Sequence, residues 1–216
     1  MRDSGLATPA ALIPTRYVWL ATCLGIGMGA LTLALLLPAL RETGALHPLA
    51  WQPHHALARP WTLWTAAWIH LSWAHLAGNL LALGALAVLG HSMRAGTAAA
   101  VALLVAWPLA TASLWLWPQV SGYAGLSALI HAAALVLIAQ AAIYSIAKPL
   151  SFVLIAGMGL KLLSERAWQL PVVFDPSWGF NVVVASHLGG ALAGAVSGFV
   201  VVGLGRFLNW AKSEPT

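Results

Sequence analysis

The sequence predicts an all-α, polytopic membrane protein, a bundle of six transmembrane helices, and three observations carry that expectation. Hydrophobic residues make up 61% of the 216 and charged residues only 7%, far below the quarter found in ordinary soluble domains. Mean hydropathy is +0.86. The apolar runs are near-continuous and several approach the roughly 20 residues that a helix needs to cross hydrocarbon, which favours helices over barrel strands. The length suits one membrane domain over residues 1–216. The net charge of +5 comes from basic residues scattered singly between apolar segments, without the clustered patch that phosphate binding needs, so nucleic acid is not an expected partner. Those residues read as topology markers. Cys23 is the only cysteine; it excludes an internal disulfide and reads as a small core residue.

Residues 1–16 are polar, with Arg2 and Arg16, and the first apolar run covers 17–40. That run is longer than the apolar part of a signal peptide, so a retained first span is expected. Segment 41–60 carries Pro48, Pro53, Pro60, His47, His54, His55 and Trp51 and is too polar to face lipid. With Trp61, Trp64 and Trp68 just beyond, it is expected to fold into the membrane interface. His54-His55 lacks the further ligands that zinc requires, and neither metal nor other cofactor is expected. The second span, 62–89, holds His70, His75 and Asn79. Polar groups at that depth are costly and are functional candidates by default. His75 and Asn79 lie one turn apart on one face, while His70 points partly elsewhere.

The third span, 97–117, carries no charge and reads as scaffold. The fourth, 126–147, opens on Gly122-Tyr-Ala-Gly-Leu-Ser-Ala-Leu-Ile-His131. Gly125 loosens the turn, Ser127 stands at the helix start, and the free N–H groups of the first turn lie where a developing negative charge would be stabilised. His131 sits one turn below on the same face. The fifth span, 150–163, is short, and Lys161 and Glu165 at its end are spaced to pair as structural support. Segment 167–178, with Pro171, Asp175 and Pro176, has the composition of a loop that could gate access. The sixth span, 181–204, carries His187 and a ridge of Gly190, Gly194 and Gly198 that permits close helix packing. Packed on the serine helix, that ridge would bring the His187 imidazole to Ser127. Six spans put both termini on one side, and the distribution of Lys and Arg assigns that side to the cytoplasm. Ser127, His187, His75 and Asn79 then fall toward the outer half of the membrane.

A serine hydroxyl needs a base, and a neutral imidazole can take its proton and pass it to a leaving amine. His187 is expected to do so without a third, acidic group, with aromatic packing or another hydrogen bond controlling its orientation. The side chains of His75 and Asn79, with the Ser127 N–H, supply donors for a tetrahedral intermediate.

This ensemble resembles the rhomboid family of intramembrane serine proteases. The resemblance is carried by His75-x-x-x-Asn79, Gly125-x-Ser127 and His187-x-x-Gly190-x-x-x-Gly194, in family order over nearly the whole six-helix core. It implies a Ser127–His187 dyad, an oxyanion region at His75 and Asn79, support from Gly125, His131, Gly190 and Gly194, and a lateral gate at the fifth helix. Its substrates would be transmembrane proteins in the lipid bilayer, cleaved near their outer ends. Two departures stand out: Ala128 replaces the glycine that usually follows the serine, and His131 stands where a tyrosine is common. Gly-Leu-Ser-x-x-x-His is similar to the rhombosortase branch, bacterial relatives whose substrates carry C-terminal Gly-Gly sorting tails. The implied location is a bacterial inner membrane, with the site opening to the periplasmic side. Two other classes compete. One is an inactive rhomboid-like protein that binds client helices, against which the retained serine and histidines weigh. The other is a transporter, whose repeats and paired broken helices are not visible.

Overall fold

A computed structural model describes residues 15–38, 47–144 and 148–213. The fold is an all-α polytopic bundle, and the protein is an integral, multi-pass membrane protein. Five stretches, Thr15–Leu36, Trp73–Ser92, Thr97–Leu116, Ser127–Tyr144 and Ala185–Leu208, are long and apolar enough to cross a membrane. In chain order the helices are α1 (Val18–Leu36), α2 (Trp73–Ser92), α3 (Thr97–Ala112), α4 (Ser127–Tyr144), α5 (Lys148–Glu165), α6 (Ala185–Ser197) and α7 (Gly203–Ser213). A short antiparallel hairpin, β1 (Val173–Asp175) with β2 (Phe180–Val182), stands between α5 and α6. The expected ends of the first and fourth spans, at residues 40 and 147, and the charge marker Arg41 lie outside the described residues.

Three expectations about the spans change. The second apolar run is broken: Thr62–Thr65 is helical, Ala66–Trp68 is a 3-10 turn, Ile69 is extended, and α2 begins only at Trp73. Ser72 causes the new start, because its hydroxyl accepts from the His75 N–H at 3.0 Å as an N-cap. His70 is therefore not on the helix that carries His75 and Asn79. The fifth run forms an 18-residue helix that is not among the five crossing stretches. Lys148, Lys161 and Glu165 all fall within it. The sixth run starts as strand β2, becomes helical at Ala185 and passes through a π turn over Gly198–Val202.

Helix α4 is the centre of the bundle, packed against α6, α3, α2 and α5. Its contact with α6 is the most intimate. A Cβ at Gly190 would stand 2.0 Å from the Ala128 carbonyl oxygen, and one at Gly194 would stand 2.2 Å from that of Ala132. The ridge thus lets two helix backbones touch, the use of small residues expected where no hydrophobic effect drives association. Gly189 faces the other way, its added Cβ meeting Ser113 Oγ at 2.0 Å. On the far side α1 packs on α2, where the buried Trp19 indole N–H donates to the Leu86 carbonyl at 3.1 Å.

The polar segment before α2 is folded onto the bundle. Trp51 is fully buried and pairs with Tyr123 through both backbone hydrogen bonds, 3.0 and 2.8 Å. Thr65 Oγ1 donates to the Leu49 carbonyl at 2.6 Å, and the Trp107 indole donates to the Trp64 carbonyl at 3.1 Å. Helix α5 stands outside this network, with α4 as its main helix contact and Phe152, Leu160 and Leu163 exposed.

Gly190→Ala and Gly194→Ala are expected to lower stability in detergent by about 1–3 kcal/mol or more through overpacking against backbone. Gly25→Ala, with nothing within 4 Å of the added methyl, is expected to be neutral or slightly stabilising. Thermal unfolding of the three variants checks the difference.

Candidate active site

The serine turn is built from the chain preceding it. Gly125 has a φ of +130°, a conformation that side chains rarely adopt. An added Cβ there would also stand 2.9 Å from His75 Cε1. The Gly125 N–H donates to the Ala66 carbonyl at 2.9 Å, so the broken segment before α2 holds the turn. Tyr123 grips it from within. Its buried hydroxyl donates to the Gly125 carbonyl at 2.6 Å and accepts from the Ala128 N–H at 3.0 Å. Ala128 is buried in regular helix, and its methyl is accommodated without distortion of the first turn. Ser127 is left half-buried at the head of α4, with Ser186 Oγ at 3.3 Å and Tyr123 Oη at 3.4 Å as long polar contacts.

His187 lies in the first turn of α6, which the Gly190 and Gly194 contacts press onto α4. Its ring stacks on that of His131 at a centroid distance of 4.3 Å and an interplanar angle of 13°. His131 is itself fixed, its Nδ1 donating to the Ser127 carbonyl at 2.7 Å. The Nδ1 atom of His187 lies 2.9 Å from both carboxylate oxygens of Glu165. Glu165 also forms the expected ion pair with Lys161. No hydrogen bond joins Ser127 to His187 among the described residues, although both line one cavity. Catalytic hydrogen bonds are often loose before substrate binds.

That cavity has a volume of about 1080 Å³ and is lined by Ser127, His187, His75, Asn79, His131 and Glu165 together with apolar side chains. Beside the serine turn, α2 supplies His75 and Asn79 to the lining. Buried His75 Nδ1 and Asn79 Nδ2 have no hydrogen-bond partner. Both residues therefore bring hydrogen-bonding capacity to the cavity lining. The His75 ring is framed by His70 at 4.9 Å, Phe180 at 5.2 Å and Trp178 at 5.9 Å. The last two belong to the hairpin and its turn, which replaces the end of the loop expected over 167–178 as a gate. Asp175 closes that turn by accepting from the Ser177 N–H at 2.8 Å, and the Ser177 hydrogen bonds hold its carboxyl below the usual carboxylate range.

Sequence reasoning missed three members of this site. Tyr123 stands in the quoted glycine stretch but is silent there, since its role depends on the turn curling around its hydroxyl. Ser186 adjoins His187. Glu165 reads in the sequence as a partner of Lys161, for structural support or, less readily, substrate binding; the expectation of a histidine without an acidic neighbour is corrected by its contact with His187 Nδ1.

The ligating atoms of His131, Glu165 and His187 lie within 4.8 Å of one another, the one such cluster found among the described residues. Its geometry suits an acid–imidazole array better than a cation. The two rings run parallel, so their lone pairs do not converge, both Nδ1 atoms are engaged, and Lys161 already neutralises the carboxylate. Among the described residues no cluster of three ligating groups includes His54 or His55.

A family model described as Rhomboid domain matches residues 57–204, a stretch containing Ser127, His187, His75, Asn79, His131 and Glu165. No curated protein matches the chain.

Gly125→Ala is expected to shift the serine by forcing φ and crowding His75. A misplacement of about 1 Å can cost about 10²-fold in rate, so labelling of Ser127 by a fluorophosphonate probe is expected to fall by that order. Gly84→Ala, with open space around the added methyl, is expected to label at the wild-type rate.

Proposed function

Because the chain belongs to the rhomboid family, a family of intramembrane serine proteases, we propose that it is an active intramembrane endopeptidase with Ser127 as nucleophile and His187 as base. The observation that carries this reading is the placement of Ser127 and His187 on two helices locked by backbone contact, lining one cavity together with His75 and Asn79.

In the proposed reaction the Ser127 Oγ attacks the carbonyl of a peptide bond near the outer end of a transmembrane substrate. As the oxygen–carbon bond forms, the hydroxyl proton passes to His187 Nε2. The resulting oxyanion is met by Asn79, His75 and the Ser127 N–H. Collapse breaks the carbon–nitrogen bond, and His187 returns its proton to the leaving amine. Water then repeats the cycle on the acyl-enzyme, with its proton taken by His187 and finally restored to the serine. His131 supports the base by stacking, and Gly125, Gly190 and Gly194 support it through geometry.

The reading extends to substrate class and place. Gly-Leu-Ser-x-x-x-His supports a rhombosortase-like role in which proteins with Gly-Gly before a C-terminal transmembrane helix are processed. The charge distribution supports cytoplasmic termini in a bacterial inner membrane and a site open to the periplasmic side.

The test is fluorophosphonate labelling of the detergent-solubilised protein. Wild type is expected to label, and Ser127→Ala and His187→Ala to lose labelling by about 10⁴-fold or more. A folded wild-type protein that does not label would support an inactive client-binding protein. Asn79→Ala is expected to slow cleavage of a membrane reporter about 10²–10³-fold, as loss of one oxyanion donor does. A reporter carrying Gly-Gly ahead of its helix is expected to be cut in preference to one with Leu-Leu there, measured by product yield in vesicles.

A further inference from the structure

We propose that Glu165 is a positioning residue for His187, fixing the imidazole tautomer whose Nε2 can accept the Ser127 proton. This rests on the reading of Ser127 and His187 as the reacting pair.

An ionised carboxylate only accepts hydrogen bonds, and a neutral imidazole carries one N–H. With both Glu165 oxygens 2.9 Å from His187 Nδ1, the proton belongs on Nδ1, and the lone pair is left on Nε2. The carboxylate also stabilises the imidazolium formed when the serine gives up its proton, as an acidic partner does in a three-residue relay. The His131 ring covers one face of His187 and restrains its rotation.

The location of Glu165 is otherwise unfavourable. It is the last residue of α5, where a negative charge opposes the helix dipole, and its side chain is only 17% exposed. Lys161 offsets part of that cost, but the i,i+4 pair alone would be as well served by a carboxylate turned to solvent. The carboxylate instead turns toward His187. Arg166 adopts a φ of +50° directly after it, and its carbonyl accepts from the N–H groups of Gln169 and Leu170, which reverses the chain at this point.

The experiment combines two readouts on the full chain in detergent. Nitrogen-15 NMR of histidine-labelled protein, with His187 assigned by His187→Gln, reports the Nδ1 proton and its hydrogen bond. Fluorophosphonate labelling reports the reactivity of Ser127. Wild type is expected to show His187 protonated at Nδ1 with a strongly downfield proton. Glu165→Gln, equal in size, is expected to lose that signature and to label about 10- to 100-fold more slowly, the usual loss when a partner that orients a functional imidazole is removed. Glu165→Asp is expected to regain part of both. Lys161→Met, which breaks the same surface ion pair, is expected to keep the His187 signature. The proposal is overturned if Glu165→Gln leaves either the signature or the labelling rate unchanged, or if Lys161→Met reproduces its effect on His187. A wild type that shows the signature but never labels counts against the protease reading and not against the Glu165–His187 contact.

Discussion

The contact of two helix backbones, α6 against α4 at Gly190 and Gly194, is the constraint on which the site depends. Lipid gives apolar helices little reason to associate, so close packing and polar contacts must supply it. Here the packing is tight enough that a single methyl group would strike a carbonyl oxygen. One consequence is positional: the first turns of both helices, carrying Ser127 and His187, are held at one level. A second is that the depth of the cavity is set by rigid elements, which suits groups that must be preorganised for charge.

Around this fixed pair the polar side chains form a graded array. His131 is tied to the Ser127 carbonyl and stacked on His187, which is in turn bonded to Glu165. The charged members, Glu165 and Lys161, belong to α5, whose main helix contact is α4 alone. The neutral members His131 and His187 sit on α4 and α6, the two helices in closest contact. Such a division puts the ionised groups on a helix with few bundle contacts and leaves uncharged donors and imidazoles on the packed helices.

Much of this was legible in the sequence because it is written in short, local spacings. The four-residue step from His75 to Asn79 survives because Ser72 starts the helix before both, and the glycine ridge reads directly as a helix face. The bundle of membrane helices follows from composition. What escaped depends on contacts distant along the chain or on competition between local signals. Residues 62–89 look like one apolar run because Ser72 is an inconspicuous cap among tryptophans and alanines. The hairpin at 173–182 hides in a segment whose prolines and aspartate suggest loop. Glu165 had a satisfactory partner one turn away in Lys161, and no spacing rule reports that its carboxylate also reaches a histidine 22 residues further on. Tyr123 is the same kind of case, since its hydroxyl acts on the turn two residues later only once that turn has closed.

The seating of residues 47–68 against the serine turn has a consequence for how that turn is specified. Trp51 pairs with Tyr123, and Ala66 receives the Gly125 N–H, so the turn borrows its shape from chain made long before it. Without that segment in place, the turn before Ser127 lacks both anchors. The shape of the serine turn is therefore a tertiary property, complete only when that earlier segment is seated on it.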